Sequence, residues 1–134
     1  MSTPHDVALD CLAAAESGRM NFPEIVRTLI AADFEGYAID FRRGAATYYG
    51  GDGTALDVPA HRPDVPIAPA FDASALRAAI REAQTSAPGY TYAGFRRKAA
   101  AAGCAGYLVS FPGRRVVYVG RTAETHVEHF PPGP

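Results

Sequence analysis

The apolar positions of this chain change period twice, from one residue in three or four to one in two, and the same order then runs again. Thr3 reads as an N-cap, with Pro4 at the first helical position and Asp6 in the acidic first turn, and the helix runs to about Gly18. A second helix begins near Asn21 with Glu24 as its capping-box partner. Phe22, Ile25, Val26, Leu29 and Ile30 share one of its faces. After Gly36 the period becomes two. Tyr37, Ile39 and Phe41 alternate with Ala38, Asp40 and Arg42, Arg43-Gly44 forms a two-residue turn, and Ala45 to Gly50 returns as the partner strand.

Residues 51 to 71 read as a mobile linker, because glycines open it and Pro59, Pro63, Pro66 and Pro69 withhold backbone donors. Asp72 caps a third helix with Leu76, Ala79, Ile80 and Ala83 on its inner stripe. A fourth starts at Thr91, sets Tyr92, Phe95, Ala99 and Ala102 on one side, and stops at Gly103. Tyr107, Val109 and Phe111 then alternate, Pro112-Gly113 turns the chain, and Val116 to Arg121 forms the last regular strand. The tail, Pro131 to Pro134, reads as unstructured.

A shift of 70 residues lays Phe22–Gly50 on Tyr92–Gly120 without a gap, giving eight identities in 29 positions. Two are alanines in alanine-rich helices, but Gly36-Tyr37, Phe41, Tyr48 and Gly50 recur in the strands and point to a duplication. The fold expected is α+β in a single domain, 1–134. A duplicated α-α-β-β unit (about 5–50 and 72–121) forms a four-stranded antiparallel sheet with helices on one face. With a two-residue turn, Ile39 lies opposite Tyr48 and Val109 opposite Tyr118, all facing the helices. The other face is polar in the first hairpin (Ala38, Asp40, Arg42, Thr47, Tyr49) and apolar in the second (Leu108, Ser110, Val117, Val119). The tail after Arg121, or a second copy of the chain, is expected to cover that apolar half.

Composition narrows the classes. Apolar residues make up 48% and charged residues 20%, a globular balance that can bury a core. No run approaches a membrane span, and the first residues lack the basic-then-apolar pattern of a signal peptide, so a cytosolic location is expected. A net charge of −1 offers no field for nucleic acid or acidic membranes, and Arg96-Arg97-Lys98 reads as one solvated helical turn. Cys11 and Cys104 sit among alanines and read as small buried hydrophobes.

Ala79–Gln84, Tyr92–Phe95, Ala102–Tyr107, Val117–Arg121 and Glu124–Pro131 resemble a bacterial and prophage family, the YdfO-like proteins, also labelled "phage envelope protein". Gly36–Asp40 and Thr47–Tyr49 match it more loosely. The resemblance implies a compact α+β cytosolic protein with no established activity.

The densest polar cluster is Arg121, Glu124, His126, Glu128 and His129, and in an extended segment His126 and Glu128 point the same way. Imidazole beside carboxylate could bind a ligand, hold a metal or move protons, but too few ligands converge for a metal site, and no cofactor is implied. Tyr49 and Tyr92 are free to line a pocket, Asp40 stands beside Arg42 on the open face, and Gln84 sits near a helix end. P-loop, nucleophile-elbow and paired-cysteine motifs are missing. The reading is a non-catalytic binding or interaction module using the open face or the groove between the halves, with a homodimer or a small-molecule ligand as partner. The alternative is a small enzyme or metal-binding protein using Arg121, Glu124, His126 and Glu128.

Overall fold

Each helix begins where a side chain can satisfy its free N–H groups. Thr3 and Asp6 bond reciprocally at 3.1 Å each, as do Asn21 and Glu24 at 3.0 Å each. Asp72 and Thr91 each accept one backbone N–H at 3.0 Å. The computed structural model, which describes residues 2–131, thus contains α1 (Pro4–Ser17), α2 (Phe22–Ala31), α3 (Ala73–Thr85) and α4 (Tyr92–Ala101). Six strands accompany them: β1 (Phe34–Asp40), β2 (Ala45–Gly50), β3 (Ala55–Pro59), β4 (Cys104–Ser110), β5 (Arg115–Gly120) and β6 (Thr125–His129). Of the expected tail, residues 132–134 lie outside the described residues.

The strands form a single antiparallel sheet in the order β3-β2-β1-β4-β5-β6. The expected four-stranded sheet is therefore corrected to six, while the α+β class stands. The extra strands are β3, inside the segment read as a linker, and β6, inside the candidate polar cluster. Both are short edge strands, paired on one side only, so Pro59 costs β3 no ladder bond it needs. Proline and glycine density is a poor guide at such an edge.

The duplication extends to these edges. Shifting by 70 carries β1 onto β4, β2 onto β5, β3 onto β6 and α2 onto α4 without change of length. The two halves meet where β1 pairs with β4, and there Ala38 lies opposite its own repeat mate, Leu108. A pseudo-twofold axis thus passes through that pair. Around it the bonds are reciprocal: Phe41 N–H donates to Ala105 O and Phe111 N–H to Glu35 O, each at 2.9 Å. Gly36 lies against the carbonyl of Val109 and Gly106 against that of Ile39, so close that a Cβ on either glycine would collide with backbone.

The hairpin turns are longer than expected, and the register shifts accordingly. Four residues, 41–44, link Asp40 to its partner Ala45, so Tyr37 pairs with Tyr48 and Ile39 with Ala46 rather than Ile39 with Tyr48. In the second hairpin Tyr107 pairs with Tyr118 and Val109 with Val116. The cause is local. The Asp40 carboxylate accepts from the N–H groups of Arg42 (2.9 Å) and Arg43 (3.1 Å), and Gly44 takes φ 65°. Ser110 serves the second loop, accepting from Gly113 N–H at 3.0 Å. A shift of two residues keeps every side chain on its face, so the facing assignment survived the error.

Tyr37, Ile39, Tyr48, Val58, Val109 and Tyr118 point into one core with Cys11, Leu29, Leu76 and Phe95 of the helices. From β3 the chain returns as a strap. Asp64 is held by Arg97 in a two-pronged pair at 3.0 and 2.6 Å. Ala68 and Asp72 donate to Ala100 and Ala102 of the α4 end, at 2.9 and 2.7 Å.

Gly36→Ala and Gly106→Ala should each lower the unfolding free energy by about 2–3 kcal/mol, because they strain the β1–β4 join. Gly53→Ala, where nothing crowds a Cβ, should cost about 1 kcal/mol, from its positive φ alone. Urea unfolding of the three variants checks the ranking.

Candidate functional site

Two places in this fold carry more polarity or more exposure than the fold requires. The first is a seam under the helices. His126 and Glu128 stand on the inner face of β6, with Nε2 and Oε2 at 2.5 Å and side-chain exposures of 14% and 26%. In register, His126 faces Tyr118 and Glu128 faces Val116. The His126 and Tyr118 rings are 6.3 Å apart, Tyr118 and Tyr107 5.3 Å. The Tyr107 hydroxyl meets that of Tyr92 at 2.7 Å. The guanidinium of Arg96 lies 5.1 Å from the Tyr92 ring centre, and its Nη1 donates to Glu16 Oε2 at 2.6 Å. His61 Nδ1 approaches the same carboxylate oxygen at 3.9 Å. These contacts form one continuous path from β6 to α1, with a histidine at each end.

The duplication supplies an internal control for this seam. The positions equivalent to His126, Glu128, Tyr92, Arg96 and Glu16 are Leu56, Val58, Phe22, Val26 and Ser86. Val58 is 1% exposed. The fold therefore accepts apolar residues at the first four of these places, and the second half carries a polar side chain at each.

Burial fixes the state of the phenols. It raises the Tyr92 hydroxyl well above its ordinary pKa, and the Tyr107 bond and the Arg96 charge offset this only in part. Burial likewise raises Tyr37, Tyr48, Tyr107 and Tyr118. All five stay protonated at neutral pH. The Cys104 thiol is pushed up to about 11, mainly by burial, and donates to Gly106 O at 3.3 Å. Cys11 is also raised by burial.

The sequence-predicted residues are brought together only in part. His126 and Glu128 share a face of β6 and pair there, and Tyr92 joins them through Tyr107 and Tyr118. Arg121 instead donates to Ile67 O of the strap at 3.0 Å, and Glu124 accepts from the Thr122 hydroxyl at 2.8 Å. Asp40 is occupied by its turn. Gln84 is exposed on α3, and Tyr49 lies on the opposite face of the sheet. Among the described residues no three His, Cys, Asp or Glu side chains are placed to hold a metal ion.

Arg96, Glu16, Tyr107 and His61 were missed as members of this seam. Arg96 belongs to the run read as a solvated turn, yet it is 7% exposed. Its signal was the spacing Tyr92, Arg96, Ala99, which puts it on the buried stripe of α4. Arg97 and Lys98 do face solvent, paired with Asp64 and Glu82 at 2.6 Å each.

The second place is the outer face of the sheet. One cross-strand row reads Asp57, Thr47, Ala38, Leu108, Val117, Val127 from β3 to β6. Leu108 is 46% exposed, Val127 40% and Tyr49 38%. The expectation that the tail after Arg121 covers this face is corrected, because Thr125–His129 of that segment form β6 and lengthen the row by Val127, and the face stays open among the described residues. No helix among the described residues is long and apolar enough to cross a membrane.

The family model described as "Protein of unknown function (DUF1398)" matches residues 12–127 of the chain. No curated protein matches it.

The seam yields two expected outcomes. Replacing His126 and Glu128 together by Leu and Val, the residues of the first half, should leave stability within about 1 kcal/mol of the parent or raise it, because an apolar pair avoids the desolvation that a half-buried polar pair suffers. Glu16→Ala should instead cost about 3 kcal/mol, since it strands the buried Arg96 guanidinium. Denaturant unfolding of both variants separates a seam kept for something other than stability from a structural pair.

Proposed function

We propose that this chain, which belongs to the DUF1398 family of proteins of unknown function, is a non-catalytic interaction module that docks a protein on the outer face of its sheet. The observation that carries this reading is the apolar row Leu108, Val117, Val127, exposed at Leu108 and Val127 and half-buried at Val117, on a face that no other layer covers among the described residues. Contiguous apolar surface of this kind costs solubility unless something uses it. The row is confined to the second half, where the equivalent Ala38, Thr47 and Asp57 of the first half are small or polar. The narrower likeness to YdfO-like proteins and a cytosolic site of action belong to the same proposal. Two unpaired, buried thiols support the second point, because such cysteines suit a reducing compartment.

A second reading, a small enzyme or metal-binding protein, draws on the His126–Glu128 pair. It loses Arg121 and Glu124, which bond elsewhere. Loss of a cellular phenotype in the His126→Leu/Glu128→Val variant, with its outer face intact, would favour this reading over the docking one.

A photo-crosslinking residue placed at Leu108 should form protein adducts in host cells. The same probe at Arg77, exposed on α3, should not. Equal labelling at both positions, or none at Leu108, counts against the docking face.

A further inference from the structure

We propose that the outer edge of β6 is a strand-pairing site for a second copy of this chain. A two-fold axis through Val127 sets β6 of one copy antiparallel against β6 of the other, so that two sheets become one. The site is the rim of the sheet and stands apart from the docking face.

Main-chain geometry supplies the site. Gly120 N–H donates to Glu124 O and Phe130 N–H to Arg114 O, both at 2.8 Å. The even-numbered residues of β6 therefore turn their backbone groups toward β5. The N–H and C=O groups of Thr125, Val127 and His129 point away from the sheet, and among the described residues no strand takes them. On the opposite edge Gly50 and Ala60 make the same bonds, to Thr54 O and Gly44 O, so Ala55, Asp57 and Pro59 face outward on β3. These three are the repeat mates of Thr125, Val127 and His129. The first half blunts its edge with a proline that lacks an N–H and a carboxylate at the centre. The second half has neither device at these places.

The side chains of β6 select its own copy as the occupant. With Val127 on the axis, Thr125 lies opposite the partner's His129, and each copy donates through Thr125, Val127 and His129 and accepts at the same residues. On the inner face His126 then stands opposite the partner's Glu128, and Glu128 opposite the partner's His126. A carboxylate on an edge strand deters most incoming strands, whereas the second copy brings an imidazole to it. The in-chain contact uses His126 Nε2 and Glu128 Oε2, and among the described residues Nδ1 and Oε1 have no hydrogen-bond partner. On the outer face Val127, 40% exposed, meets its own mate, and the apolar row Leu108, Val117, Val127 continues into the second copy. The same operation on β3 would oppose two Asp57 carboxylates and forfeit the bonds that Pro59 cannot donate.

Amide hydrogen exchange of the full chain, read residue by residue at about 50 µM and about 1 mM beside sedimentation velocity, tests this. At the higher concentration the parent should run as a dimer. The amides of Thr125, Val127 and His129 should then exchange several-fold more slowly, while those of Ala55 and Asp57 keep their rates. Val127→Asp and, independently, His129→Pro copy residues that the fold already accepts in the first half. Each should weaken association at least about tenfold with an unchanged circular dichroism spectrum. A mixture of Val127→Asp and Val127→Lys chains should associate where neither does alone, because this axis sets position 127 against itself. A parent that stays monomeric at the highest concentration, or a dimer whose β6 amides exchange freely, overturns the edge proposal and leaves the docking reading to its crosslinking test. So does a dimer that survives both substitutions.

Discussion

The pairing of β1 with β4 is the interaction on which the other parts depend. Either half taken alone, three strands and two helices, would expose the full backbone edge of β1 or β4 to solvent. Joining the halves at Ala38 and Leu108 converts two such ribbons into one sheet and two helix pairs into one layer. The join is tight. Gly36 and Gly106 let each backbone approach the other's carbonyl, and the reciprocal bonds of Phe41 and Phe111 extend the ladder past both strand ends. Small residues here are a requirement of geometry, which is why both halves keep the Gly-Tyr pair.

Once the halves are joined, their differences become informative. At four equivalent places on the inner side the first half supplies Leu56, Val58, Phe22 and Val26. The second half puts His126, Glu128, Tyr92 and Arg96 there, and these four, with Tyr107, Tyr118 and Glu16, make one path through the interior. Desolvating such groups costs free energy that apolar residues would not, so stability alone does not account for them. The Arg96–Glu16 pair also ties α4 of one half to α1 of the other. The outer face breaks the symmetry the other way, with Leu108, Val117 and Val127 standing where the first half has small or polar side chains.

Much of this was legible along the chain. Caps, helical stripes, alternating strands and the 70-residue shift are local or strictly periodic signals, and they located all four helices and four of the six strands. Turn length was not legible, because Asp40 and Ser110 use their side chains to hold four-residue loops where Gly44 and Pro112-Gly113 suggested two. The edge strands were not legible either. An edge strand needs half the ladder bonds of a central one, so its prolines and charges look like those of a loop.

By itself, then, the sequence determined the class of fold, the duplication and the side of each strand that faces the helices, since these follow from periods of 3.6 and 2 and from residues a few positions apart. Only the tertiary structure decided that the strands number six, that Arg96 is buried against Glu16 80 residues away, and that Arg121 holds the strap instead of the histidine. Those outcomes depend on which distant backbone or side chain arrives to satisfy a polar group. Spacing along the chain does not carry that information, because it is set by how the two halves close on each other.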